Sequence, residues 1–387
     1  MARQKEYVAK IYDITGTTFK GNVALTSDPV FLKKVSGGVG EAIFTLALPV
    51  DNFGEGDLIT FRNELQIWVA DDDSPNGIQI YSGHIAEYRP YSNASGEGVQ
   101  VRVHGYVTRL WGEMYRNGSD FSITHSSQDP ETIFKAIIDQ YRTNVASNYP
   151  RINYTATSTD TVGTSHTYKF EAKHINEALN IVTERLAGPD YYWYIDSDNV
   201  ANFKQYSTTA DHLLTFNREI VAIDINKTLA QCVNHVLFWN GVDPAGIYNV
   251  YRNTSSSDAY FHWWEIIVDG RVTVAATAEE ISTSKINRYK DPVTSLVITV
   301  RDNAYYQGYN IESLNPGDTL RILNLKTNNP LQANMPISKV LYSPGVAQLY
   351  IDDIELLTPR ILNSLREEIT ANQSSGLPSG SASVIDV

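Results

Sequence analysis

Runs of alternating residues recur through most of this chain, and one short phrase opens them near both ends. Gly56-Asp57 precedes Leu58-Ile59-Thr60-Phe61-Arg62, and Gly317-Asp318 precedes Thr319-Leu320-Arg321-Ile322. Each is followed by a second run, Ile78-Gln79-Ile80-Tyr81-Ser82-Gly83-His84-Ile85 in one case and Met335-Pro336-Ile337-Ser338-Lys339-Val340-Leu341-Tyr342 in the other. Successive side chains on a strand point to opposite faces, so a period of two predicts β-strands. Two similar strand phrases predict a β module used twice.

The rest of the chain divides around that pair. Glu41–Leu48, Leu65–Val69 and Val99–Tyr106 also alternate. Turn residues separate them at Gly37-Gly38, Asp71–Gly77 and Asn93–Gly98. Closely spaced strands with no helix between them predict a small antiparallel barrel over residues 1–110. Asp129-Pro130-Glu131 is a helix start, with Asp as N-cap and Pro in the first turn. Ile133, Phe134, Ile137 and Ile138 give the helix Thr132–Tyr141 one apolar face. A second helix is expected over Ile175–Leu186, stopped by Gly188-Pro189. A hairpin follows, Tyr191–Asp196 with Val200–Phe203, and completes an α+β domain over 111–210. The second β module is expected to be discontinuous, 211–232 with 293–357. A β-rich insertion with a short helix at Ala275–Tyr289 fills 233–292. Residues 358–387 carry a helical stripe, Ile361, Leu362, Leu365 and Ile369, and then a Ser/Gly-rich tail. The fold class is mainly β with an α+β insert.

The chain's 387 residues exceed one ordinary core. A net charge of −13 argues against a surface that grips duplex DNA, because that affinity is mostly phosphate neutralisation. An acidic lumen through which DNA slides is compatible with it. The single Cys232 lies among apolar residues and reads as a small buried hydrophobe. No apolar leader follows Met1 and no apolar run reaches 18 residues, so synthesis in the cytosol without stable membrane insertion is expected. The eight histidines are scattered, and no HExxH, Walker loop or G-x-S-x-G occurs. Asp71-Asp72-Asp73 lacks the frame of a calcium loop and reads as a hairpin tip. Glu177 and Glu184 on one helix stand about 10 Å apart, outside glycosidase geometry. The expectation is a protein that is not an enzyme, with no catalytic residue, cofactor or metal.

Aromatic residues are the remaining functional candidates. Tyr191-Tyr192-Trp193-Tyr194 and Phe261-His262-Trp263-Trp264 place aromatics on both faces of a strand. Such a strand is central in a two-sided core, lies against a partner, or offers a sugar platform. The interface candidates are Trp68, Trp111, Tyr191, Trp193, Trp239, Trp263 and Trp264, with Leu365 in the C-terminal stripe.

In order and spacing, these pieces resemble the central baseplate or tail-tip hubs of phage tails and related injection machines. Gly56-Asp57-Leu58-Ile59 through Ile80-Tyr81-Ser82-Gly83-His84-Ile85 resembles that family's first barrel, and Val99–Tyr106 the strand that closes it. Asp129-Pro130 through Ile138 is similar to the start of its middle domain. Ala178-Leu179, Ala187-Gly188, Tyr192–Asp196 and Asn202-Phe203 resemble its helix and hairpin, and Gly317-Asp318 to Tyr342 its second barrel. Asn199–Asn202, where a glycine turn is usual, and Pro344-Gly345 depart from the pattern. The resemblance covers about residues 5–355 and implies two tail-tube-like antiparallel barrels per chain. It implies a homotrimer forming a pseudo-sixfold ring in a virion tail baseplate or tail tip. Its partners would be a hexameric tail tube or distal tail protein above and a trimeric spike, fibre or tape-measure C-terminus at the tip. Genome DNA would pass only transiently. A distal tail or receptor-binding protein, and a carbohydrate-binding or carbohydrate-active β protein, are the alternatives. In the hub reading the segment after Leu365 threads to a neighbouring tip protein. Truncation at residue 358 is then expected to block assembly with that neighbour, checked by co-purification; normal assembly would exclude the threading role.

Overall fold

A computed structural model describes residues 5–48, 58–70, 77–93, 96–145, 152–229, 232–241, 246–302, 310–324 and 334–351. The chain forms two compact units. One comprises Met1–Thr228 with Thr294–Asp352, and the other contains Leu229–Val293.

The first unit begins with eight strands: β1 (Glu6–Tyr12), β2 (Phe19–Ala24), β3 (Phe31–Lys34), β4 (Gly37–Val39), β5 (Glu41–Leu46), β6 (Glu64–Ala70), β7 (Ile78–Asn93) and β8 (Gly96–Gly105). Six of them form a sheet in the order β2-β1-β6-β7-β8-β5. An antiparallel bridge from Leu25 to Leu46 joins its two edges and closes it into a barrel. Period two is plain in β5 and β8, where Ala42, Phe44 and Leu46 meet Val99, Val101 and Val103 inside.

Next come α1 (Val107–Gly112), β9 (Ser122–Gln128), α2 (Pro130–Asn144), β10 (His166–Glu171) and α3 (Ile175–Ile181), which continues into a π-helical turn, Val182–Ala187. The hairpin β11 (Tyr191–Ile195) and β12 (Ala201–Gln205) follows. Asp129 caps α2 by accepting from the Glu131 amide, as expected from the sequence. The expected second helix is in place but winds wider over its last turn and ends at Gly188, whose φ is 93°. Asp196 accepts from the Asp198 and Val200 amides, so the acidic turn between β11 and β12 is held by its own Asx bonds. The short α1 and the β9–β10 pair have no period in the sequence that separates them from loop.

The remaining strands of this unit are β13 (His212–Thr215) and β14 (Ile220–Thr228), which precede the second unit in the chain. That unit holds β15 (His235–Trp239), β16 (Tyr248–Arg252), α4 (Thr254–Tyr260), β17 (Trp264–Val268) and α5 (Ala275–Tyr289). The chain then returns to the first unit as β18 (Val293–Arg301), β19 (Thr319–Leu323), β20 (Met335–Pro336), β21 (Lys339–Ser343) and β22 (Val346–Ile351). β13-β19-β20 form one sheet, and β21-β22-β18-β14 are neighbours in another. β20 runs on into β21, and a bridge from Phe216 to Ile220 joins β13 to β14. A second ring of strands results.

The two rings share one cyclic order. Counting each set along the chain, with β20 and β21 as one bent strand, both run second, first, fourth, fifth, sixth, third. The first strand of each set differs in direction: β1 pairs antiparallel with both β2 and β6, whereas β13 pairs parallel with β19 and its bridge to β14 is parallel. The repeated sequence phrase is less regular than this topology. Gly317-Asp318 leads directly into β19, as expected. Gly56-Asp57 lies outside the described residues, and Leu58–Arg62 is a turn, not the expected strand. Arg62 has φ 73°, and Asn63 donates to the Leu58 carbonyl at 2.9 Å, which closes the turn. The equivalent strand is β6.

β3 and β4 fall within residues 1–110 but pair outside the six-stranded sheet. β3 pairs antiparallel with β21, Phe31 opposite Tyr342. β4 pairs parallel with β11, Gly38 opposite Ile195. A side chain at Gly38 would put its Cβ 2.1 Å from the Ile195 carbonyl oxygen, and φ there is 125°. The hairpin leaves its own barrel because the edge of β21 supplies its hydrogen bonds and apolar residues of both barrels cover Phe31. That ring stacks on Tyr342 at 4.9 Å and meets Tyr81 edge-on at 5.2 Å; Tyr81 in turn meets Phe44 at 5.1 Å. One apolar core is continuous through both barrels. Phe31→Ala removes the ring that bridges them, and a loss of about 3–5 kcal/mol is expected. Urea unfolding is expected to show one transition at a lowered midpoint.

Candidate assembly surfaces

A polar chain runs along the junction of the two barrels. Lys5, just before β1, pairs with Asp302 and, at 2.7 Å, with Glu312. Tyr342 donates to Glu312 at 2.6 Å, and its hydroxyl lies 3.0 Å from that of Tyr7. Burial opposes the charge on Lys5, but its two carboxylate partners more than offset this and hold its pKa above the ordinary value. Burial and the neighbouring Glu312 push the Tyr342 phenol far up, so it stays a donor. Charges spent on each other in this way are not available to an external ligand.

Lys33 on β3 is buried beside this junction, and its Nζ is 3.3 Å from Asn315 Oδ1. Burial lowers its pKa to about 8, with Asp318, Glu312 and Asp196 working the other way. Its position could have been found in the sequence, because Lys33 shares the alternating face of Phe31. Read only as part of the basic pair Lys33-Lys34, it passes for a surface residue.

A cleft of about 270 Å³ is lined by Arg62, His84, Arg109, Glu113, Tyr141 and Val145. Burial, and then Arg109, His104 and Arg62, lower the His84 pKa to about 3. The ring is therefore neutral at pH 7 and a poor proton donor. Among the described residues no cluster of three or more His, Cys, Asp or Glu side chains can hold a metal ion. Distance does bring two histidine pairs together, His84 with His104 at 5.8 Å and His235 with His262 at 4.6 Å. His104 Nε2 lies 3.4 Å from the Glu41 carboxylate, which is about half exposed.

The second unit presents a different kind of surface. Its sheet has the order β16-β15-β17, with α5 against it. Opposed residues share a face, and the registers are Tyr248–Trp239–Val268, Val250–Leu237–Ile266 and Arg252–His235–Trp264. The alternate residues Val236 and Phe238 are fully buried. On the outer face Tyr248 is 66% exposed, Ile266 62%, Trp264 55% and Val250 51%. A contiguous apolar face of this kind marks an interaction surface.

The aromatic candidates separate on this geometry. Trp239 and Trp264 lie on the outer face of that sheet. Trp263 is half-buried beside it, with Nε1 donating to the Tyr260 carbonyl at 2.6 Å. Trp193 is fully buried, and Nε1 donates to Asn180 at 2.8 Å. Tyr191 is half-buried and stacks on Phe203 at 5.5 Å. Trp68 is half-buried under Lys10, whose Nζ sits 3.6 Å from the ring. Trp111 on α1 is 46% exposed. Leu365 lies outside the described residues. Strand periodicity found the aromatic strands but not their neighbours, so it could not rank these positions.

No protein-family model matches the chain, and neither does any curated protein sequence. Its fold does match solved structures. The 43 kDa tail protein of prophage MuSo2 from Shewanella oneidensis aligns over 90% of this chain and 98% of its own, with a TM-score of 0.59 and 14% identity. A tail protein from Neisseria meningitidis MC58 aligns over 92% and 98%, with a TM-score of 0.59 and 13% identity. Prophage tail protein gp18 from Listeria monocytogenes EGD-e aligns over 94% and 99%, with a TM-score of 0.55 and 10% identity. The chain therefore has the mainly β fold of phage tail proteins, along nearly its whole length.

The buried Lys33 yields a test with a definite sign. Its pKa is about 8 in the folded chain and near 10.5 when unfolded. Between these values the unfolded chain holds a proton that the folded chain lacks, so stability rises with pH across that window. At pH 7 both states are charged and the burial cost is present in full. Lys33→Met is expected to stabilise the protein at pH 7 by on the order of 2 kcal/mol. It is also expected to flatten the rise between pH 8 and 10.5 in urea melts.

Proposed function

We propose that this chain is a structural, non-enzymatic hub of a phage tail baseplate or tail tip. Three copies form a ring in which each chain contributes two barrels, giving sixfold-like symmetry from a trimer. That ring joins a hexameric tail tube or distal tail protein to a threefold spike, fibre or tape-measure C-terminus. Its lumen passes the genome without binding it, which the charge of −13 favours.

The observation that carries this reading is the shared cyclic strand order of two barrels fused through one continuous core. A single chain then presents two similar building blocks at a fixed relative angle, as a symmetry adaptor requires. In this reading the α+β segment 111–210 and the insertion 233–292 serve as attachment domains, and the second barrel is built from 211–232 with 293–357. Full-length fold similarity to prophage tail proteins supports the same reading. Native mass measurement is expected to give three times the 43.3 kDa chain mass, alone or with the tube partner. A monomer that binds a glycan array in both conditions would reject the hub in favour of a carbohydrate-binding role.

A further inference from the structure

The cleft of about 270 Å³ lies between the first barrel and the α+β segment, and separate stretches of chain line it. Arg62 ends the turn before β6, and its amide donates to the Ile85 carbonyl at 2.8 Å, which holds that turn against β7 beside His84. Arg109 lies on α1, with its guanidinium 4.7 Å from the centre of the Tyr106 ring and a hydrogen bond to the Tyr141 side chain. Glu113 follows α1, and Tyr141 and Val145 come from the end of α2. A guanidinium carries five N–H donors in a fixed fork, so it can hold several partners at once.

His84 adds a neutral donor. Its Nδ1 is buried with no hydrogen-bond partner among the described residues. A buried acceptor without a partner costs less than a buried donor without one, so the neutral ring keeps its proton on Nε2. The charges around the cleft do not cancel. Glu113 Oε1 lies 3.6 Å from Arg116 Nε. Glu64, fully buried on β6 opposite His84, accepts from Tyr106 and Gln66. Arg62, Arg109 and Arg116 against Glu64 and Glu113 leave one positive charge, in a chain whose net charge is −13. Beyond burial, Arg109, His104 and Arg62 all oppose a charge on His84, which reports the same sign. Val145 and the rings of Tyr141 and His84 supply apolar wall. A few convergent donors in an apolar wall fit a ligand with one charged end and an apolar body. One positive charge matches a monoanion, whereas a phosphate dianion would bring charge that these walls do not solvate.

We propose that this cleft binds an organic monocarboxylate carried on an apolar chain. Arg62 and Arg109 donate to the carboxylate, His84 donates from Nε2, and Val145 and Tyr141 pack against the apolar chain. Glu113 opposes the ligand's charge, and so selects ligands whose apolar part contributes to binding.

Titration of the full-length chain with hexanoate, followed by calorimetry and by the imidazole resonances of His84, tests this. Saturable binding at roughly millimolar concentration is expected for a ligand of this size, with the His84 resonances shifting in step. Hexanamide keeps the apolar chain and removes the charge, and is expected to bind about tenfold more weakly or worse. Inorganic phosphate is expected to bind more weakly than hexanoate as well. Arg62→Gln is expected to weaken hexanoate binding about tenfold, and Glu113→Gln to strengthen it several-fold. The absence of saturable binding, equal binding of hexanamide, or tighter binding of phosphate would overturn the proposal. Should Arg62→Gln misfold, Glu113→Gln decides: unchanged or reduced affinity for hexanoate rejects the site. N-acetyl-leucine separates the two sources of such a carboxylate. Affinity at least equal to that of hexanoate assigns the site to the last residue of a protein chain, and lower affinity to a free acid; hexanoate binding supports the proposal in both cases.

Discussion

The stacking of Phe31 on Tyr342 is the contact on which the first unit depends. It exists because β3 and β4 leave the barrel that surrounds them in sequence and extend the sheet of the other. A strand edge is a row of unpaired amides and carbonyls, and pairing it internally both satisfies those groups and removes an aggregation edge. The same hairpin reaches β11 of the α+β segment. Barrel, middle segment and barrel are therefore hydrogen-bonded into one body instead of being strung on linkers. Gly38 is the residue that permits the closest of these approaches.

The polar groups along that junction have a different role from the rings. Lys5, Glu312, Tyr342 and Tyr7 satisfy one another at hydrogen-bond distances. Such networks add little net stability compared with an apolar core of equal volume, but an unmatched partner is costly. They therefore penalise a slipped register between the barrels more than they strengthen the correct one. A device whose use depends on a fixed angle between two modules gains from that asymmetry. Lys33 is the exception, since it has a neutral hydrogen-bond partner and only distant carboxylates, and its lowered pKa records the cost.

Much of the fold was legible because it is written in local periods. Alternation located β5, β6 and β8, and the Asp129 cap and apolar stripe located α2. The period of Ala275–Tyr289 marked α5 to its ends. The duplication was legible only in outline: the order of strands survives in both rings, while the Gly-Asp phrase opens a strand in one and precedes a turn in the other. Low identity to proteins of the same fold follows from the same physics. Barrel interiors need apolar residues at alternate positions and accept many choices among them.

By itself the sequence determined several strands and helices, β5, β6, β8 and α2 among them, that the chain is acidic with a single cysteine, and that its aromatics cluster in strands. Those properties depend on neighbours along the chain and on composition. Only the tertiary structure decided that β3 pairs with β21, that Trp193 is core, and that Trp264 faces solvent. Each of these depends on a residue far away in the chain, Tyr342 for Phe31 and Asn180 for Trp193. A period of two says that a side chain has a face, but not what lies opposite it.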